Sequence, residues 1–355
     1  MPNGLKKVMI TLLLLVSFTG ALIGLQTTGN ADQVKSNASL KVEPQTQNLK
    51  FQNKASNFFN FNLGGNDQLN QDIVVKVTNT SDKKAKFTTK INQATTSHKG
   101  EITYDGRGKL VKNIFDFKQL VTSKDNENKV TLNPGESRDL HFNVQTPTGA
   151  TFSNFNGTIL GGIYILEQPE AKATKHHKVK RTAYPVAIMI NKGKSSPNLA
   201  MKHVKTDTRY NQNMVDAMVT NNHPDLIGKL DYKATVVKKG TNSVVAQASQ
   251  SNGQIGPNNQ FKLEVPWLTK RITPGAYTMR VKIKSTDPQL GSKGGTWFLE
   301  KDFTVSVLDA LIVNAKVTHS IPWMLILGLV VILGLLGGLI YWLLQIRKRR
   351  EGLEK

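Results

Sequence analysis

The chain contains no cysteine in 355 residues. That excludes disulfide staples, thiolate metal sites and thiol catalysis, and it leaves packed apolar cores as the source of stability. An exported chain without cysteine suits the exterior of a single-membrane bacterium. Acidic residues are also scarce: 25 Asp and Glu stand against 47 Lys and Arg, for a net charge of +22. Lys6 and Lys7 supply +2 and the tail after Ile346 supplies +3, leaving +17 between the two apolar segments. A field of that sign attracts polyanions within about a Debye length, ~8–10 Å. On a Gram-positive surface the polyanions are wall polymers and anionic headgroups. Nucleic acid is not an expected partner of an exported chain. The simpler reading of the charge is solubility inside a polyanionic wall.

Two segments break the polar pattern. Lys6-Lys7 precede the apolar run VMITLLLLV at 8–16, with small and polar residues beyond it. This is the layout of a secretory signal peptide, residues 1–31, cleaved after Gly29-Asn30-Ala31. An uncleaved anchor is the alternative, because Ala21 to Leu25 extend the apolar stretch. The second segment, 321–344, reads IPWMLILGLVVILGLLGGLIYWLL without a charge. At ~1.5 Å per residue, about 36 Å of helix crosses a ~30 Å hydrocarbon core. Trp323, Tyr341 and Trp342 sit where interfacial aromatics belong, and Arg347, Lys348, Arg349 and Arg350 follow. The expectation is one transmembrane helix with residues 345–355 as a basic cytoplasmic tail. Gly334 and Gly338 form a GxxxG pair of the kind that brings membrane helices together. The stretch before the run lacks an LPxTG-like pentapeptide, so sorting to the wall by cleavage is not expected.

Between these segments no sustained helical period is visible, and strand alternation takes its place. Ile73, Val75 and Val77 alternate with polar neighbours, as do Leu140, Phe142 and Val144. So do Leu230, Tyr232, Ala234 and Val236, then Tyr277, Met279, Val281 and Ile283, then Phe303, Val305 and Val307. Such runs have one apolar and one wet face, as in antiparallel sheets. Turn signals separate them at Asn133-Pro134-Gly135, Asp105-Gly106, Thr146-Pro147 and Pro274-Gly275. The expected fold class is all-β: two immunoglobulin-like sandwiches, at 38–193 and 197–310, joined by the polar linker Asn191 to Pro197. Runs 158–166 and 184–190 read as paired strands flanking a basic loop, Glu167 to Arg181.

Reactive constellations are missing. His176-His177 lacks companion ligands at metal spacing, so no metal or cofactor is expected. Ser81-Asp82-Lys83-Lys84 spells SxxK, but in a polar turn after a strand. Glu101 and Asp105 are the acidic pair that a glycosidase reading would have to use. What remains is a binding surface. Aromatics beside Asn and Asp offer stacking and planar hydrogen bonds to sugars. The glycan-binding candidates are Tyr104, Asp105, Phe152 and Asn154, with Tyr104 and Phe152 expected to be exposed. Phe59, Phe61 and Phe155 read as core.

The order of motifs resembles a known family. In the first half these are SNFFNFNL at 56–63, IVVKVTNTS at 73–81, INQATTS at 91–97, GEITYD at 100–105 and GTILGGI at 157–163. In the second half they are Asn221-Asn222, GPNNQF at 256–261, PGAY at 274–277 and WFLEKDF at 297–303. The chain is similar to the WxL-interacting proteins of lactobacilli, enterococci and their relatives. The resemblance implies a peptidoglycan-binding domain, then a host-binding domain, and a place beside WxL-domain proteins in a wall-surface complex. Host matrix proteins are the other implied partners. It brings no catalytic residues, so the chain is expected not to be an enzyme. Trp297-Phe298-Leu299 spells W-x-L, but the chain resembles the partner of WxL proteins. The expected function is that of a non-catalytic, membrane-anchored scaffold or adhesin with its domains outside the cell. The alternatives are an enzyme acting on wall polymer and an accessory subunit of a membrane transporter or sensor.

Overall fold

The computed structural model describes residues 39–125, 129–169, 181–241, 243–317, 336–338 and 341–342. The signal segment 1–31, His176-His177, Trp323, Gly334 and Arg347 to Arg350 lie outside the described residues. Of the apolar run 321–344, Leu336–Gly338 and Tyr341–Trp342 are described, as helix. Among the described residues no helix is long and apolar enough to cross a membrane.

The fold is all-β, built as two pairs of sheets. In the first pair, β1 (Leu40–Gln45), β3 (Asn70–Asn79), β10 (Ser137–Gln145) and β8 (Val121–Ser123) form a four-stranded sheet in that order. Facing it are β2 (Phe59–Leu63), β12 (Ala183–Lys192), β11 (Gly157–Gln168), β4 (Ala85–Gln93) and β9 (Lys129–Leu132). All pairings are antiparallel except β2 with β12, which is parallel. The alternation places Val75, Val77 and Phe142 of one sheet in one core with Phe59, Phe61, Phe87, Ile163 and Ile188 of the other. Each such side chain contributes about 1.5–3 kcal/mol on burial.

Two neighbouring glycines let β11 carry rings on both faces. A Cβ at Gly161 would lie 2.4 Å from the Phe117 ring, and one at Gly162 would lie 2.8 Å from the Tyr104 ring. Phe117 opens the short helix α1 (Phe117–Leu120), capped by the Asp116 carboxylate accepting from the Lys118 N–H at 3.1 Å.

The second pair has β16 (Val244–Ile255), β15 (Ile227–Lys238), β18 (Gly275–Ser285) and β19 (Gly295–Val305) in one sheet. The other is ordered β13 (Leu199–Arg209), β14 (Gln212–Asn221), β17 (Asn259–Pro266) and β7 (Lys109–Leu110). Tyr277 is fully buried here. Its hydroxyl donates to the Thr273 carbonyl at 2.7 Å, and its ring packs 5.3 Å from Trp267 and 5.7 Å from Phe303.

Val307 does not continue the strand alternation. β19 stops at Val305, and Val307 opens a helix. The Ser306 side chain accepts from the Asp309 N–H at 3.0 Å, and the Asp309 carboxylate accepts from the Ser306 N–H at 3.3 Å. That capping box satisfies the first free N–H groups and turns the apolar residues after it into helix.

β7 comes from the first half of the sequence but pairs with Asn259 and Gln260 of the second. Around this annexed strand the two halves share a polar joint. Thr96 sits in β5 (Thr95–Thr96), which pairs with β6 (Ile102–Thr103). The Thr96 hydroxyl donates to the Asn259 side chain at 3.1 Å and accepts from the Gly256 N–H at 2.9 Å. The Asn259 amide donates to the Pro257 carbonyl at 2.7 Å and the Ala94 carbonyl at 3.4 Å. Three backbone bonds cross as well: Gln254 N–H to Gly100 carbonyl at 2.7 Å, Val111 N–H to Asn258 carbonyl at 2.7 Å, and Thr158 N–H to Pro224 carbonyl at 2.6 Å. Asn259 is fully buried. Asn259→Ala removes its three side-chain bonds from a buried site, so the exterior part should lose about 1–3 kcal/mol in urea unfolding.

Asp225 lies at the same joint, and one of its carboxylate oxygens is buried without a hydrogen bond. Burial pushes its carboxyl above the usual range, against the lowering effects of a Ser195 hydrogen bond and of His223. A carboxyl raised on folding stabilises the fold fully below its unfolded pKa, and that contribution is lost as pH rises through the folded pKa. Asp225→Asn should therefore raise the melting temperature at pH 7, with the gain shrinking toward pH 3 in a thermal-melt series.

Candidate ligand-binding surface

The four residues proposed from sequence part company in the structure. Phe152 is not exposed. It lies in α2 (Ala150–Ser153) and is 2 % accessible. Phe115 meets it edge-on at 5.8 Å, Phe155 stacks at 6.4 Å, and the Lys192 ammonium stands 5.6 Å above its ring. That ammonium is buried and satisfied by the Ser153 carbonyl at 2.7 Å and the Phe155 carbonyl at 3.3 Å. Polar neighbours in sequence concealed a core ring, so Phe152 has no face to offer a sugar. Asn154 is exposed as the C-terminal cap of α2, and its N–H bonds the Ala150 carbonyl at 2.9 Å.

Tyr104 and Asp105 stay together on the outer face of the five-stranded sheet. The Tyr104 ring is half-buried against Ala94, Leu160 and Met189. Burial pushes its phenol up to about 12, so it is neutral at physiological pH. The Asn92 amide donates to the Tyr104 carbonyl at 2.8 Å and so fixes the loop on β4. Asp105 accepts from the Arg107 N–H at 3.0 Å and pairs with its guanidinium at 3.4 Å.

Beside Asp105 lies an open cleft of about 800 Å³, lined by Thr88, Lys90, Asn92, Lys129, Leu166 and Gln168 among others. Thr88 and Lys90 are outward positions of β4, and cross-strand register sets Lys129 and Leu166 against Thr88 and Tyr164 against Lys90. The Gln168 amide donates to the Thr88 hydroxyl at 3.2 Å. Lys118 and Arg181 complete a cationic rim, and Asp105 is the one acidic residue among the described lining. Amide, hydroxyl, carboxylate and cations along a groove suit a polyhydroxylated chain that carries negative charge. Thr88, Lys90, Lys129 and Gln168 were not apparent from sequence as site residues. The signal was there, as the polar phase of alternating strands, but strand polarity alone marks any wet face.

Hydrolytic chemistry finds little support in this geometry. Asp105 lines the cleft and Glu101 does not. Glu101 belongs to a tight turn, with its carbonyl accepting from the Ser97 N–H at 2.8 Å. Ser81 is a turn residue, its hydroxyl donating to the Asn79 side chain at 2.7 Å. Among the described residues no group of three or more His, Asp or Glu could hold a metal ion. On the second pair of sheets, Trp297 and Leu299 pack toward the core while Phe298 is 71 % exposed, with the Lys282 ammonium 5.2 Å above its ring. The W-x-L string is thus part of a strand.

Two family models match the sequence. The model described as WxL Interacting Protein, peptidoglycan binding domain matches residues 40–167, and WxL Interacting Protein, host binding domain matches residues 175–315. The chain belongs to the WxL-interacting protein family. It therefore carries one domain of the peptidoglycan-binding type and one of the host-binding type, as a cell-surface binding protein does. Both are binding domains, which agrees with a chain that is not an enzyme. Most of the cleft lies on the peptidoglycan-binding match, with Gln168 and Arg181 beyond its edge. β12 completes the first pair of sheets although the second match begins at residue 175. A search of curated proteins finds no match. Among solved structures, the CupB2 chaperone of Pseudomonas aeruginosa is 12 % identical, covering 69 % of this chain and 97 % of its own, at a TM-score of 0.26. The E. coli chaperone DraB is 13 % identical, covering 76 % and 96 %, at 0.27. Likenesses of that size carry no argument about this protein.

Phe152 and the cleft separate cleanly in a test. Phe152→Ala should cost about 3–5 kcal/mol of stability by chemical denaturation, the loss expected of a core ring. A loss of peptidoglycan binding at unchanged stability would contradict its placement.

Proposed function

We propose that the chain is a non-catalytic scaffold of a Gram-positive cell surface, held in the membrane by residues 321–344. The signal peptide 1–31 is removed, and residues 345–355 face the cytoplasm because Arg347 to Arg350 follow the span. Two immunoglobulin-like sandwiches, 38–193 and 197–310, stand outside. The first holds peptidoglycan and the second meets a WxL-domain protein or a host-surface protein. The observation that carries the glycan reading is the cleft beside Asp105, most of whose polar lining lies on the peptidoglycan-binding match.

The cationic rim suits a wall rich in anionic polymer, and its attraction weakens with salt. A modest glycan site, a protein partner and a membrane tether also reinforce one another, because the tether raises the local concentration of each.

The test is sedimentation of the exterior part, residues 32–316, with insoluble peptidoglycan. Point substitution is the right tool, because removing the first domain would also strip β7 from β17. Lys90→Glu with Gln168→Ala should lower affinity about tenfold, a loss of ~1.4 kcal/mol. Retention should also fall as salt rises. Undiminished binding by the double variant would remove the cleft from the reading.

A further inference from the structure

The second pair of sheets has two ends of opposite character. At one end Leu199 and Asn221 face each other near the joint with the first half. The other end gathers three separate segments around the side chain of Asn314. Helix α3 (Val307–Lys316) carries Asn314 in its last turn. The Asn314 oxygen accepts from the Asn213 amide at 2.8 Å and from the Ile272 N–H at 2.9 Å, and its amide donates to the Ile272 carbonyl at 2.9 Å. The Thr208 hydroxyl donates to the Val313 carbonyl at 2.9 Å. The tip of the β13–β14 hairpin, the 267–272 loop and the C-terminal turn of α3 are thereby one surface.

That surface is apolar and basic, and it is exposed. Tyr210 is 86 % accessible at the hairpin tip, Leu268 is 53 % accessible in the loop, and Leu311 and Ile312 are 63 % and 46 % accessible on α3. Lys270 and Arg271 stand exposed between them. Tyr210 and Asn211 have φ of 52° and 59°, the left-handed pair of a two-residue hairpin turn. Asn suits that conformation. A tyrosine there is held in a costly backbone region with its ring in solvent, a combination that points to a use outside the fold. The nearby carboxylates Asp207, Asp216 and Glu264 surround Arg209, and Lys262 also pairs with Asp216, so that cluster keeps one net negative charge behind the exposed Lys270 and Arg271.

The position of the chain names the occupant. Val317 ends the described part of this region, and the uncharged run begins at Ile321. Four peptide steps reach at most about 14 Å. We propose that this end of the host-binding domain rests on the bilayer, with Tyr210, Leu268, Leu311 and Ile312 in the headgroup layer and Lys270 and Arg271 on anionic headgroups. An aromatic ring and aliphatic tips flanked by cations are what an interfacial surface requires. The contact sets the column of domains upright on the membrane and keeps it from swinging on a loose stalk. The inference rests on the anchoring of 321–344 proposed above.

The experiment uses the full-length chain in nanodiscs of phosphatidylcholine and phosphatidylglycerol. The absence of cysteine allows single labels at Tyr210→Cys, Leu268→Cys, Leu336→Cys in the run and Lys54→Cys in the first half. Each carries a polarity-sensitive fluorophore, and the quencher is a spin-labelled lipid. The expected result is loss of most emission at 210, 268 and 336 and none at 54. Quenching at 336 without quenching at 210 and 268 leaves the anchor in place and overturns the proposal. No quenching at 336 overturns the anchor and this proposal with it. Lys270→Gln with Arg271→Gln, or neutral lipid alone, should weaken quenching at 268. An unchanged signal would overturn the role of anionic headgroups.

Discussion

The buried pair of Asn259 and Thr96 is the contact on which the arrangement of the molecule depends. Asn259 is fully buried, and its side chain serves both halves: it holds the Pro257 carbonyl of its own turn and the Thr96 hydroxyl of the other half. A buried amide left unpaired is expensive, so the two halves satisfy each other or both lose. The annexed strand β7 extends the same logic to the backbone, because Lys109–Leu110 cover an edge of β17 that would otherwise be open. Between β6 and β7 the same loop carries Asp105 to the rim of the cleft and packs Tyr104 against Leu160 and Met189. One segment, 94–111, therefore joins the halves and shapes the candidate site.

This joint gives the molecule direction. β13 runs from Leu199, near the joint, to Arg209, near the exit toward 321, and its residues span ~33 Å at ~3.3 Å each. In the proposed placement the first domain is carried that distance above the bilayer, toward the wall. Weak individual contacts then suffice, since a tethered binding surface with a set orientation meets its polymer at high local concentration.

Strand positions were legible from the sequence because the period of two is local. Ile73-Val75-Val77 and Tyr277-Met279-Val281-Ile283 show their inward phase without any partner. The beginning of α3 was not read from the sequence: Val307 read as one more strand residue because its apolar neighbours fit either period, and the Ser306–Asp309 cap decides for helix in the structure. Phe152 misled for the converse reason. Ser153 and Asn154 beside it suggest a wet loop, while Phe115 and Phe155, which bury it, come from elsewhere along the chain or turn onto it through α2. Gly161 and Gly162 record the same limit. Their presence signals a close approach, but nothing near them says that Phe117 and Tyr104 are the approaching rings.

The all-β class, the apolar termini, the excess of cations and the family were determined by the sequence alone, because composition, periodicity and motif order are properties of neighbouring residues. The joint through Asn259, the passage of β7 into the other half, the cleft that Asp105 shares with Thr88 and Lys90, and the gathering of Tyr210, Leu268 and α3 around Asn314 were decided by the tertiary structure. Each requires residues far apart in the chain to share a buried hydrogen bond or a surface. The free energy of such contacts arises only when the intervening segments have paid their folding entropy and the partners have met.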